Sequence, residues 1–177
     1  VSGGIVVLVG NPRTQSRTHT AALQAAQAIA ERLGLGAPAE VVDLSVLAPE
    51  LPGVVPSPAV QRALELVAGA DVLVVASPTY KGTYTGLLKL FLDRLPGGAL
   101  ASAVALPLLV MGDPKHALAV EVHLRPLLVE LGATVPTPGV ALLESQLPTA
   151  EEVLGPWADR VVPQVAATLA GGVAAAR

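Results

Sequence analysis

The apolar positions of this chain fall into short unbroken runs, separated by longer stretches in which apolar and polar residues alternate at helical spacing. Ile5 to Val9 is a run of β-branched residues and leucine, too short for a helix and suited to a strand buried on both faces. Asp71 to Ala76 and Ala103 to Met111 repeat the pattern, and Glu40 to Leu44 and Gly139 to Leu143 are shorter versions of it. Between them the spacing predicts an alanine-rich helix to about Leu33 and a helix from Ser57, a cap followed by a first-turn proline, to about Ala68. A third helix is expected from Gly86 to Leu95, and a long one opens at Asp113-Pro114 and runs to about Leu131. The connection after the second strand, through Pro56, carries no regular period. Pro107 inside the fourth strand predicts a bulge or one unpaired position. Pro126, which lacks an amide donor and crowds the preceding turn, predicts a kink or bulge between Val122 and Pro126. Thr149 with Glu152 reads as a capping box for a last helix, which Pro156 and Pro163 are expected to break before the alanine-rich tail.

Strands alternating with helices imply a parallel sheet covered on both sides, with right-handed crossovers. Five strands favour an α/β, doubly wound five-stranded parallel sheet of order 2-1-3-4-5, in one domain over residues 1–177. In that order a ligand sits beyond the carboxyl ends of the strands, at the switch point between the first and the third. The loops that meet there are Gly10 to Thr18, reading GNPRTQSRT, and the loop that opens ASPTYKGTYTGLLKLFLDRLP, Ala76 to Pro96. A third loop, Gly112 to His116, flanks them after the fourth strand.

The first loop ends in no Gly-Lys-Ser/Thr and lacks the second and third glycines of the dinucleotide fingerprint, which disfavours ATP and a Rossmann-type NAD site. Its hydroxyls, Thr14, Ser16 and Thr18, stand at the positive end of a helix with free amides, a setting that suits a phosphate monoester, and Arg13 and Arg17 add charge. The same residues also fit a plain helix cap by Ser16 with solvated arginines. In the second loop Pro78 and Gly82 let the backbone turn sharply, and Tyr80 and Tyr84 are the only tyrosines in a chain with one Phe and one Trp. Aromatic faces this scarce, gathered here, suggest a flat ligand; the plainer alternative is a tight turn whose tyrosines pack on the neighbouring helix. Lys89 and Asp93 have the spacing of an exposed helix pair and receive no catalytic role.

Composition narrows the choice further. A hydrophobic content of 52% and a mean hydropathy of +0.61 are inflated by alanine, and Gly, Pro or charge interrupts every apolar run before a membrane-spanning length, so no membrane partner is expected. A net charge of -3 without a basic stripe argues against nucleic acid. The absence of cysteine excludes disulfides, thiol catalysis and thiolate metal sites. His19, His116 and His123 show no metal-ligand spacing. No signal segment precedes the first strand, and the cytoplasm is the expected compartment. With no Ser-His-acid grouping, the chain offers little for acid-base work and points to a cofactor that carries the chemistry.

At these residues the sequence resembles the NADPH-dependent FMN reductase family, flavodoxin-like in fold, most closely the flavin reductases that serve two-component alkanesulfonate-type monooxygenases. The resemblance runs from Ile5 to about Ser145 and rests on GNPRTQSRT, SPTYKGTYTGLLKLFLDRLP and HALAVEVHLRPLL. It implies that Ser16, Arg17 and Thr18 hold the FMN phosphate and that Pro78, Thr79, Tyr80, Lys81, Gly82 and Thr83 border the isoalloxazine ring. Gly112 and Asp113 correspond to the third flavin loop. Asn11 stands where the family usually has serine. Asp113 and Pro114 replace a commoner glycine-and-serine run, placing a carboxylate where it would disfavour an anionic reduced flavin.

Arg13 is the expected contact for the phosphate of the nicotinamide nucleotide, NADPH or NADH. The implied activity is hydride transfer to FMN by orientation alone, with a flavin-dependent monooxygenase as the partner. The alternatives are an azo or quinone reductase that retains its FMN and a non-enzymatic flavodoxin-like electron carrier. The resemblance further implies a homodimer or homotetramer with Val122 and His123 as contacts.

Overall fold

A computed structural model describes residues 4–36 and 39–175. Residues 1–3, which bear on the reading of a leader, and the last residues of the alanine-rich tail, 176–177, lie outside the described residues.

Five strands form one wholly parallel sheet: β1 (Ile5–Val9), β2 (Glu40–Asp43), β3 (Val72–Pro78), β4 (Val104–Met111) and β5 (Val140–Leu143), in the expected order β2-β1-β3-β4-β5. Every residue of β1, β3 and β4 is buried, as the continuous apolar runs require of strands covered on both faces. Alternation then divides the core. Val6, Leu8, Leu73 and Val75 pack toward α3 (Pro58–Ala68), α4 (Gly86–Leu92) and α5 (Arg125–Glu130), which supply Leu64, Phe91 and Leu128. Val7, Val9, Val74 and Ala76 face α1 (Arg17–Leu33) and α6 (Glu151–Ala175), through Ala22, Ile29, Trp157 and Val161. The alanines of α1 are thus what lets that helix lie close to the sheet.

Three local expectations are corrected and one is narrowed, since of a bulge or one unpaired position at Pro107 the structure shows the second. β4 has no bulge: its register to β3 runs unbroken from Val72↔Val104 to Pro78↔Val110, through Pro107 opposite Val75. The Val104 amide donates to Asp71 on the β3 side and the Ala105 amide to Thr134 on the other, so alternation turns the amide-less Pro107 away from β3. Pairing with β5 starts only at Leu108, and Pro107 therefore costs no ladder bond. The connection after β2 contains a single helical turn, α2 (Leu44–Leu47), capped by Asp43.

The long helix expected from Pro114 is instead a 3-10 turn at Pro114–His116, a π-helical turn at Val120–Leu124 and then α5. The expected bulge is therefore present, set slightly earlier than Pro126, with the Arg125 amide reaching back to the Val120 carbonyl. Last, α6 is not broken. Pro156 and Pro163 lie two turns apart on its solvent side, where the carbonyls they leave unpaired, on Glu152 and Asp159, meet water. The helix starts on the Ala150 carbonyl, which accepts from Leu154 at 2.8 Å, rather than on a Thr149–Glu152 box.

Candidate functional site

The loops after β1 and β3 are joined at the switch point by a small buried network. Thr85 caps α4, its Oγ1 accepting from the Leu88 amide at 3.1 Å and donating to the Gly10 carbonyl at 2.6 Å. Its own amide donates to Ser77 Oγ at 3.0 Å, and that hydroxyl donates to the Pro78 carbonyl at 2.8 Å. Ser77 and Thr85 are 0% and 2% exposed, so these bonds form without competition from water. Gly10 is required by packing: a Cβ there would lie 2.7 Å from Leu88 Cβ. Sequence reasoning passed over Thr85, although a threonine directly before the helical run Gly86 to Leu92 carries a cap signal.

In the first loop Asn11 is buried and works on the loop itself. Its Oδ1 accepts from the Arg13 amide at 2.9 Å and its Nδ2 donates to Thr18 Oγ1 at 3.1 Å. Ser16 caps α1, accepting from the His19 amide at 3.1 Å, and Gln15 before it takes a positive φ of 48°. The capping reading of Ser16 is therefore correct, and it leaves the hydroxyl proton free. Thr18 Oγ1 likewise only accepts, and the Arg17 and Thr18 amides, the first two of the helix, have no acceptor among the described residues. Two hydroxyls with protons to donate and two amides with no acceptor among the described residues thus stand at the positive end of a 17-residue helix, a donor set that a phosphate monoester fits. The arginines behave differently: Arg13 is exposed and has no ion pair among the described residues, and Arg17 pairs with Glu144 at 3.0 Å.

The second loop is a hairpin. The Tyr80 amide donates to the Thr83 carbonyl at 2.9 Å, with Lys81 and Gly82 at the tip, both at positive φ (56° and 88°). That is a two-residue turn of the primed type, in which Gly82 is at ease and Lys81 is strained. Thr79 anchors the base of the hairpin to Val110 of β4 through its amide at 2.8 Å. Tyr80 is 44% exposed, whereas Tyr84 packs against the core, so the two tyrosines part company: one presents a free face and the other is structural.

The third loop approaches from the β4 side. Asp113 caps the 3-10 turn through the Lys115 amide at 2.9 Å and pairs with Lys115 Nζ at 2.9 Å. The Lys115 side-chain and main-chain bonds hold the Asp113 carboxyl below the usual carboxylate range, and the ammonium offsets its charge. The His116 ring lies beside Gly82, and His123 Nδ1 is 3.0 Å from Thr83 Oγ1, so both histidines brace the hairpin. Neither contact was readable from spacing, because the π-helical turn sets the rotation that aims His123. Lys89 and Asp93 form the expected exposed pair at 2.7 Å. Among the described residues no group of three or more His, Asp or Glu side chains is placed to hold a metal ion, and no helix is long and apolar enough to cross a membrane.

Hydroxyl and amide donors at a helix start, joined by a buried hydroxyl to an aromatic-bearing hairpin, stand beside the comparison to known families, in which residues 4–147 match the model for NADPH-dependent FMN reductase. The chain belongs to that family. It is an oxidoreductase family that uses FMN with a nicotinamide nucleotide. The chain is 37% identical over 145 residues to the FMN reductase (NADPH) of Escherichia coli, a match covering 81% of this chain and 74% of that one. It is 43% identical over 95 residues to the FMN reductase (NADPH) of Pseudomonas putida, and the match spans about half of each, 54% and 48%. Among solved structures, an apo NADH:FMN oxidoreductase, EMOB, superposes with a TM-score of 0.78 at 32% identity, covering 92% of this chain and 87% of that one.

Proposed function

We propose that this member of the family is an NAD(P)H-dependent FMN reductase and that its reduced FMN leaves for a partner flavin-dependent monooxygenase. The observation that carries the reading is the pairing of loops at the switch point: uncommitted donors at the start of α1, tied through Thr85 and Gly10 to a hairpin that exposes Tyr80. When bound, FMN would supply the chemistry, taking hydride at N5 from the nicotinamide C4. The protein's part is placement. Ser16, Thr18 and the Arg17 and Thr18 amides hold the phosphate, and Asn11 keeps the loop in shape. Pro78, Thr79, Tyr80, Lys81, Gly82 and Thr83 border the ring, with Gly112 and Asp113 on its far side. Arg13, exposed and with no ion pair among the described residues, receives the nicotinamide nucleotide.

The reading extends to a single FMN-binding domain, a cytoplasmic setting and a homo-oligomer. Leu118 before the π-helical turn, Val122 within it and Val129 in α5 are 69%, 55% and 54% exposed, apolar surface suited to a second copy that contacts Val122 and His123.

The test follows nicotinamide absorbance with NADPH or NADH, with and without added FMN. Turnover that rises with free FMN is expected. Turnover that needs only a quinone or azo dye, with FMN retained through gel filtration, would replace this reading by a flavin-retaining reductase. No turnover and no FMN binding would end it.

A further inference from the structure

Arg17 begins α1 at the phosphate loop, yet its guanidinium is committed elsewhere. Its Nη2 lies 3.0 Å from Glu144 Oε2. Glu144 directly follows Leu143, the last residue of β5, and so stands at the same carboxyl edge of the sheet as the loop. The turn that carries it is pinned by the Leu143 amide, which donates to Gln146 Oε1 at 2.8 Å. A cavity of about 270 Å³, lined by Arg17 and Glu144 with Ala21, Leu147 and Pro148 among others, leaves open space beside the pair. The two side chains are 67% and 50% exposed, so neither is locked in place by packing.

We infer that Glu144 is a competing counter-ion for Arg17 and thereby sets how strongly this protein prefers a phosphorylated flavin over an unphosphorylated one. The inference rests on the reading of Gly10 to Thr18 as the phosphate loop. A phosphate held by the amides at the start of α1 gains the Arg17 guanidinium as well only by drawing it from a carboxylate that already neutralises it. That lowers the affinity for FMN and leaves riboflavin, which has no phosphate, unaffected. An ion pair this exposed changes an equilibrium by no more than about five-fold, and salt weakens it. The consequence suits a flavin that is released rather than stored.

The experiment measures dissociation constants for FMN and riboflavin by quenching of flavin fluorescence, at low and high salt. The proteins are the wild type, Glu144→Gln, Arg17→Gln and the double variant, with Glu144→Ser as a second neutral replacement. The expected result is that either Glu144 variant binds FMN about three- to five-fold more tightly at low salt and riboflavin as before, with the gain fading at high salt. In the Arg17→Gln background the Glu144 change should have no effect. Unchanged FMN affinity in both Glu144 variants, an equal change for riboflavin, or a gain that survives without Arg17 would overturn the assignment. A wild type that binds FMN no better than riboflavin would overturn the phosphate-loop reading itself, and a wild type selective for FMN with inert Glu144 variants overturns the counter-ion alone.

Discussion

Replacing Thr85 by valine keeps the side-chain shape and removes one oxygen, which makes it a clean probe of the network between the two loops. The hydroxyl caps α4 through the Leu88 amide and satisfies the Gly10 carbonyl, at 3.1 and 2.6 Å. Loss of a helix cap costs about 1 kcal/mol. A buried carbonyl left without a partner costs about 1–3 kcal/mol more, and at 2% exposure the valine offers water no route to replace the bond. The sum is about 2–4 kcal/mol, which for a domain of this size lowers the midpoint of thermal unfolding by about 4–16 °C. Thr85→Ser keeps both bonds and loses one methyl, so it should cost about 1 kcal/mol or less. Urea and thermal denaturation of the three proteins decide the matter. A valine variant within about 0.5 kcal/mol of wild type, or a serine variant as unstable as the valine one, would refute the assignment of the stabilisation to the oxygen.

Three further outcomes are expected. Gly10→Ala should destabilise by about 1–3 kcal/mol in denaturant titrations, because the new Cβ meets the Cβ of Leu88, an atom that cannot swing aside without moving α4. Tyr80→Ala should weaken FMN binding by about two- to ten-fold in fluorescence titrations with little change in stability, since the ring is exposed and the hairpin bond is made by the main chain. Glu121→Gln should destabilise the protein at neutral pH, because Glu121 accepts from Arg125 Nε and from the Gly139 amide, each at 2.5 Å. The bond from Arg125 is the main cause that holds the Glu121 carboxyl below its ordinary value of 4.5, with the Gly139 amide acting in the same direction. A depressed value means that the contribution is complete above the ordinary value and is lost as the pH falls below it toward the folded value. The stability difference between wild type and variant should therefore close on acidification through that window and stay constant above it.

Much of the architecture was legible because this sheet is buried on both faces. Ile5 to Val9, Val72 to Ala76 and Val104 to Met111 could not be read as anything half-exposed, and Ser16 and Ser57 announced the helices that follow them. The prolines were harder, since their effect depends on which neighbour they face. Pro107 costs nothing because the chain beside it is not yet a strand, Pro126 follows a π-helical turn, and Pro156 and Pro163 shed their unpaired carbonyls into water. No one-dimensional pattern contains that information. The site followed the same division. Its loops were visible from their positions at strand ends, whereas the partners of Thr85, Arg17 and His123 lie 75, 127 and 40 residues away and appear only once the sheet brings them together.

The two prolines of α6 do more than survive on its outer side. Each bars its own face of the helix from the sheet, since turning it inward would press a ring and an orphaned carbonyl into an apolar layer. Seven residues apart, they mark the same line along the helix axis twice, and on the buried side Trp157 Nε1 reaches the Pro138 carbonyl at 2.9 Å. A stretch rich in alanine and valine would otherwise roll on a flat apolar surface with small penalty at each step. Here the outward line cannot be buried and the inward one is pinned, so the helix can be laid down in one rotation only, and Asp159 arrives on the side where Arg32 of α1 waits at 2.6 Å.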